Sequence, residues 1–498
     1  MRNFDYIVER LPVFDLGENK LIKSLSRISI VIFALAYNGY SQDTLFLPNV
    51  NYFTGTGGHS IFLGDFDGVS GLDLALARFN GNVTVLKNDG DGTFENSVNY
   101  PVFGQSFAAS IVGDDFDGDN DIDLAVANYA DNDLRVLVNN GSGVFSLIST
   151  SITGANQPIY LAAADFTSDS IPDLVTANYQ PGTKTISLFT NQGGYNFIQT
   201  GLYESDLQPS AVLALDLDND NDFDIASCNY SSNNVNVFFG GGDGTFVPAG
   251  PFGVGANPLG ITAGNFDSDG LLDLAIANFG MDSISILIND GDSAMLPKVN
   301  YNVRGKARAI CHSDFDLDGD VDLAIANYDS ASVSILLNSG DGIFINSTIE
   351  YYVIGSPQHL AAGDIDGDGD FDLVVANYVS DSISVLLNQK AMDTDGDDVF
   401  DHIDNCPTVH NPLQENTDNT GPGDACCCVS PRGDYNGDGT NSSILDLNYL
   451  VSKIFRGGPA AGCPKEGDTN SDGTSSSILD LNFIVNRIFR GGPLPGPC

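Results

Sequence analysis

The residues best suited to do chemistry in this chain are aspartates, and they come in clusters. Asp314 to Asp322 reads DFDLDGDVD, five carboxylates in nine residues, directly ahead of the apolar run LAIANY. Carboxylates this close repel one another, so such a cluster needs either full solvation or a cation. Oxygens at positions 1, 3, 5 and 9, with a backbone carbonyl at 7, suit Ca²⁺, which takes six to eight oxygen ligands. The loop is not an EF-hand, because position 12, where a bidentate glutamate on a helix belongs, falls inside a strand-like run. Glycosidases also use paired carboxylates, but a catalytic pair is unique and this cluster recurs. The chain contains no H-E-x-x-H, no G-x-S-x-G and no glycine loop of the phosphate-cradling kind, so a non-catalytic protein is expected.

The elements that hold these clusters repeat with them. The cluster starts at Asp65, Asp115, Asp165, Asp216, Asn265, Asp314 and Asp364, at intervals of 50, 50, 51, 49, 49 and 50 residues. Each unit has an apolar run such as IYLAAADF, the acidic loop, a run of the DLAVANY type, a third such as SVSILLN, a turn like SGDGIF, and a fourth strand such as STIEYYVIG. Four short strands per repeat, seven times over, predict an all-β fold, a seven-bladed β-propeller, with an open solenoid as the alternative. The DLAxAN runs, small and apolar on both faces, are expected between neighbouring blades near the axis. The array spans residues 42–389 and is out of phase at its ends. Repeat seven stops after SISVLLNQ without a fourth strand, while LFLPNVNYFTG ahead of repeat one matches fourth-strand sequences such as FENSVNYPVFG. Residues 44–54 are therefore expected to complete blade seven, which would remove an exposed sheet edge.

The pattern resembles the FG-GAP or VCBS-type repeat of integrin alpha-chain propellers and of many bacterial secreted proteins, in which calcium rigidifies the first hairpin of a blade. Carried over position by position, the resemblance implies ligands Asp115, Asp117, Asp119 and Asp123 in blade two; Asp216, Asp218, Asp220 and Asp224 in blade four; and Asn265, Asp267, Asp269 and Asp273 in blade five. Blade six would use Asp314, Asp316, Asp318 and Asp322, and blade seven Asp364, Asp366, Asp368 and Asp372. Val69 replaces the position-5 acid of blade one, leaving Asp65, Asp67 and Asp73, and Thr167 replaces the position-3 acid of blade three, leaving Asp165, Asp169 and Asp173. Those two sites are expected to bind more weakly or to stay empty.

After Met392 the composition changes. Residues 392–428 resemble a thrombospondin type 3 repeat, which implies calcium ligands Asp393, Asp395, Asp397, Asp401 and Asp404 and a pairing of Cys406 with Cys426. Residues 430–498 hold two copies of a D-x-N-x-D-G loop running into an amphipathic ILDLN helix pattern, 34 residues apart. They resemble a dockerin type I module, an α-helical paired loop-helix unit. This implies ligands Asp434, Asn436, Asp438 and Asp446, then Asp468, Asn470, Asp472 and Asp480, and a cohesin-like docking partner. Both copies carry one residue more than the usual spacing before the closing acid.

Composition narrows the partners. With 66 acidic against 20 basic residues and a formal charge of -46, the chain is expected to avoid nucleic acid. Lys20, Lys23 and Arg27 precede an apolar run from Ile28 to Tyr37, too short to span a bilayer, so residues 1–41 read as an export signal with no later membrane span. Six of eight cysteines fall in the last hundred residues, consistent with disulfides in an exported tail, while Cys228 and Cys311 replace alanines in strand positions. One position breaks the sevenfold repetition. Six residues before each cluster stand His59, Ala109, Ile159, Ser210, Leu259, Arg308 and Gln358, at the expected axial entrance. With Arg304, Lys306 and His359, His59 and Arg308 form a candidate ligand patch on blades six, seven and one, suited to an anion or uronate. The sequence thus points to a secreted or cell-surface calcium-binding protein that displays a site for an extracellular protein or glycan. The alternative is a carbohydrate-active protein, a lectin or a component of a polysaccharide-degrading system.

Overall fold

The computed structural model describes residues 45–389, apart from 70, 96, 105 and 292–294 and the side chains of 346–349. The expected signal (1–41), thrombospondin-like segment (392–428) and dockerin-like segment (430–498) lie outside the described residues. No helix among the described residues is long and apolar enough to cross a membrane.

Seven antiparallel sheets are arranged as blades, the first strand of each packing against the first strand of the next, around to blade one again. Blade three is typical, with Pro158–Ala164, Asp173–Asn178, Thr185–Asn191 and Phe197–Glu204 in sequential order. Its second strand, DLVTAN, is buried along its whole length, as are the matching strands of the other six blades. These runs are apolar on both faces because a blade covers each side, and their small residues let the blades approach. The first strands, to which they pair, line the axis itself. The innermost strands are Gly58–Gly64, Ala108–Asp114, Pro158–Ala164, Pro209–Leu215, Pro258–Gly264, Ala307–Ser313 and Pro357–Gly363. Seven strands converge there, and a Cβ on Gly260 would stand 3.0 Å from the Ala309 Cα of the next blade. The position tolerates no larger residue without displacing backbone.

The seams between blades are made by one repeated device. An asparagine at or just after the end of the third strand donates its Nδ2 to the carbonyl of the second loop residue of the preceding blade. Asn139 bonds Phe66 at 2.8 Å, Asn191 bonds Phe116 at 2.9 Å, and Asn338 bonds Phe266 at 2.8 Å. The phenylalanines are themselves buried between blades, so losing the asparagine would strand a buried carbonyl at a cost of about 1–3 kcal/mol. Blade four has Gly240 at this position, and the seam to blade three is joined instead by the Gly244 amide donating to Phe166 O at 3.0 Å.

The ring is closed by chain ends distant in sequence. Val50–Phe53 pairs antiparallel with Ser382–Leu386, setting Val50 opposite Val385 and Phe53 opposite Ser382. Ahead of it, Phe46 bridges Asn388 and packs edge-on against Phe315 and Tyr351, with ring centroids 5.7 and 5.1 Å apart. Across the closing seam, Asn88 of blade one donates to Ile365 O of blade seven at 2.6 Å. Closure leaves blade seven with four strands rather than three, which removes an unpaired edge.

Candidate metal centres and axial site

Each acidic loop joins the first strand of its blade to the second, and backbone geometry folds the carboxylates inward. The position-1 aspartate acts as the hub. In blade six, Asp314 accepts from the amides of Asp318 at 3.1 Å and Gly319 at 3.0 Å, and Asp216 and Asp115 wrap their loops the same way. The position-9 aspartate lies at the start of the buried second strand and ties two segments together. Asp322 accepts from Phe315 N at 3.0 Å and Asn338 N at 2.7 Å.

Carboxylate oxygens come within 4.8 Å of one another in five loops: Asp65, Asp67 and Asp73; Asp115, Asp117 and Asp119; Asp216, Asp218 and Asp224; Asp314, Asp316 and Asp322; Asp364, Asp366 and Asp372. Asp123, Asp220, Asp318 and Asp368 stay in the same loops but outside these tightest triads. Blade three, with Asp165, Asp169 and Asp173, does not form a carboxylate triad, and Thr167 Oγ1 donates to Asp173 Oδ2 at 3.3 Å where the missing acid would stand. Blade five presents Asn265, Asp267, Asp269 and Asp273, and the Asn265 Oδ1 is buried without a hydrogen-bond partner. Asp366 Oδ1 in blade seven is equally buried and unpartnered. Converging carboxylates and orphaned inward oxygens fit a hard cation with oxygen ligands. Blade one differs in a way its sequence did not suggest. Lys87 Nζ lies 3.0 Å from Asp67 Oδ2, so an ammonium already neutralises part of that triad.

The position-9 carboxyls carry the cost of burial beside like charges. Burial, opposed by backbone hydrogen bonds and reinforced by neighbouring aspartates, raises Asp123 and Asp322 to about 7, Asp224 and Asp273 to about 6, and Asp372 to about 8, from the ordinary 3.8. Because these folded-state values lie above the unfolded one, the metal-free fold favours the protonated forms. Their stabilising contribution is complete at acid pH and is lost as pH rises through the raised values. In EDTA, the urea midpoint is therefore expected to fall between about pH 4 and about pH 8, and saturating calcium, which takes the ionised carboxylates, is expected to reverse the slope.

The opposite ends of the first strands build a second site. In all seven blades the register slips once near the start of this strand, and the residue skipped is His59, Ala109, Ile159, Ser210, Leu259, Arg308 or Gln358. A β-bulge re-aims its extra residue, and here all seven line one axial cavity together with Tyr160 and His359. Within it, Arg308 Nε donates to Gln358 Oε1 at 2.7 Å and a terminal guanidinium nitrogen to His59 Nε2 at 3.1 Å. The His59 Nδ1 donates to Ala109 O at 2.5 Å, which fixes the neutral tautomer. Burial, then the nearby Arg308 charge, lowers His59 to about 3 and His359 to about 4, so both are neutral at physiological pH. The sequence-defined patch is thus only partly assembled. His59, Arg308 and His359 share the cavity, whereas Lys306 pairs with Asp329 at 3.1 Å and Arg304 sits over the Tyr352 ring.

Around this mouth runs an aromatic collar that the repeat reading passed over. Phe79, Tyr129, Tyr179, Tyr230, Phe279, Tyr328 and Tyr378, all half-buried, each follow the last residue of a second strand. Each backbone amide donates to the carbonyl just ahead of its own blade's first strand, as Tyr179 N does to Gln157 O at 3.1 Å. Tyr378 touches Phe79, Phe79 stacks on Phe107 at 4.0 Å, and Tyr179 bridges Tyr129 and Tyr230. The signal was in the sequence, an aromatic after the DLAxAN run in every repeat, hidden because it looked like strand continuation. Of the two cysteines in this region, Cys228 is buried and Cys311 half-buried, and both are free thiols.

Comparison with known proteins agrees with this architecture. The model of the FG-GAP-like repeat family matches residues 115–176, 165–227, 216–276 and 314–375. No curated protein matches the chain. Among solved structures, two crystal structures of BBS1N in complex with ARL6DN, one soaked with lead and one with mercury, are similar to it. They share 11% identity, cover 69% of this chain and 97% of theirs, and superpose with TM-scores of 0.49 and 0.50. At that identity the likeness concerns the fold alone. Residues 45–389 form a seven-bladed β-propeller, within which residues 115–276 and 314–375 match the FG-GAP-like repeat model.

Proposed function

We propose that this is an exported, non-catalytic binding protein in which Ca²⁺ ions, held in the acidic loops, rigidify a propeller whose axial face displays a ligand site. The observation that carries the reading is the contrast between the two ends of the first strand. At the loop end, the same oxygen pattern recurs blade after blade, as a scaffold requires. At the bulge end, seven equivalent positions carry seven different residues converging on one cavity, as recognition of an asymmetric ligand requires. The loop carboxylates would hold the ion, and the ion would supply charge neutralisation and cross-linking of the hairpin. The segment 430–498 would attach the protein to a cohesin-like partner on a cell surface or in a larger complex. A protein ligand is favoured over a glycan, because the cavity of about 30 Å³ holds no more than one or two waters and does not admit a sugar ring.

The test is an array of extracellular proteins, peptides and glycans, probed with the purified protein in calcium and again in EDTA, alongside a panel of polysaccharides assayed for turnover. Calcium-dependent retention on protein or peptide spots without turnover is expected. Turnover of any polysaccharide, or retention unaffected by EDTA, would overturn the reading.

A further inference from the structure

In a chain with a formal charge of -46, Arg308 stands inside the axial cavity with no ion pair to any described residue. Its visible partners are the neutral Gln358 and His59 and the face of Phe279, 5.9 Å from the guanidinium carbon. The tyrosines around it cannot serve as counter-ions, since burial pushes both Tyr160 and Tyr179 up to about 12. Arginine stays charged under all ordinary conditions, and the partly buried Arg308 guanidinium has no carboxylate partner among the described residues. A counter-charge entering the cavity from outside would complete the pairing that the described fold leaves open.

The cavity specifies its shape. Its volume is about 30 Å³, room for the two oxygens of a carboxylate but not for a ring. Guanidinium presents a planar fork that matches a carboxylate edge better than it matches a spherical ion. The half-buried aromatic collar outside offers an apolar, π-faced surface to whatever stem carries that group.

We propose that Arg308 and its collar form a binding site for a carboxylate on a slender stem, as a peptide ligand presents it. This rests on the reading of the axial face as the display face, and it adds the chemical class of what enters.

The experiment is calorimetric titration of the full protein in saturating calcium with sodium acetate, with chloride and with glucuronate, all at constant ionic strength. Acetate is expected to bind and to raise the melting temperature, chloride to bind at least tenfold more weakly, and glucuronate not to bind. In Arg308→Lys, which keeps the charge and loses the fork, acetate affinity is expected to fall at least tenfold. If that variant does not fold, the wild-type ranking decides alone. Chloride matching acetate, glucuronate matching acetate, no acetate binding, or an Arg308→Lys protein with wild-type affinity would each overturn the proposal. Acetate binding with no calcium-dependent array ligand would reject the broader reading alone. The converse would reject only the carboxylate site.

Discussion

Stripping divalent cations from the purified protein with EDTA is expected to lower its melting temperature by roughly 10–20 °C, and calcium alone to restore it. Five loops bring three carboxylates within 4.8 Å of one another, and each would bind an ion in the folded state only. Taking extracellular-type affinities of about 10⁻⁴–10⁻³ M, 10 mM calcium would contribute about 1.4–2.7 kcal/mol per site. The sum is on the order of 10 kcal/mol, comparable with the whole stability of a typical domain. Magnesium should restore little, because it demands a tight octahedron and gives up its waters reluctantly. Scanning calorimetry with each cation checks this, and a melting temperature indifferent to EDTA would refute it.

The second large effect concerns closure. Deleting residues 45–54 removes the strand Val50–Phe53 from Ser382–Leu386 and takes Phe46 out of its contacts with Phe315 and Tyr351. It also leaves the Tyr351 hydroxyl without the Leu45 amide that donates to it at 2.9 Å. Losing a buried phenylalanine alone costs about 3–5 kcal/mol, and the unpaired edge offers a template for association. The variant is expected to be recovered mainly as aggregate, with any monomer melting far below the wild type by circular dichroism. Phe46→Ala, which keeps the strand, should show an intermediate loss. A deleted protein that melts like the wild type would mean that the ring does not depend on this strand.

Much of this architecture was legible from the chain because repetition exposes it. The 50-residue period, the alternating acids and the orphan fourth strand each constrain the fold locally, and a ring is the arrangement that satisfies them together. What the sequence placed less well depended on relations between blades. The DLAxAN runs were placed second in each blade and buried between blades, and they lie there; what composition could not say is that the strand just before them, not they, lines the axis. The cations of the patch were grouped by proximity in sequence and in ring order. Their separation follows from register: the bulge turns Arg308 into the lumen, while Lys306, two residues earlier, reaches Asp329 at 3.1 Å. Blade one was expected to be weak because of Val69; its three remaining acids still converge, and the competing partner is Lys87, 20 residues after the Asp67 it pairs with. The seam asparagines carry no obvious pattern until the partner carbonyl, about 73 residues away in Asn139, is known.

The central claim is that the loop carboxylates hold calcium, and anomalous diffraction from crystals grown in calcium addresses it directly. The account predicts anomalous peaks at about 2.3–2.6 Å from the carboxylate oxygens of Asp115, Asp216, Asp314 and Asp364, with weaker density beside Asp65 and Asp165. Well-ordered loops carrying no anomalous peak at any of these aspartates would contradict it.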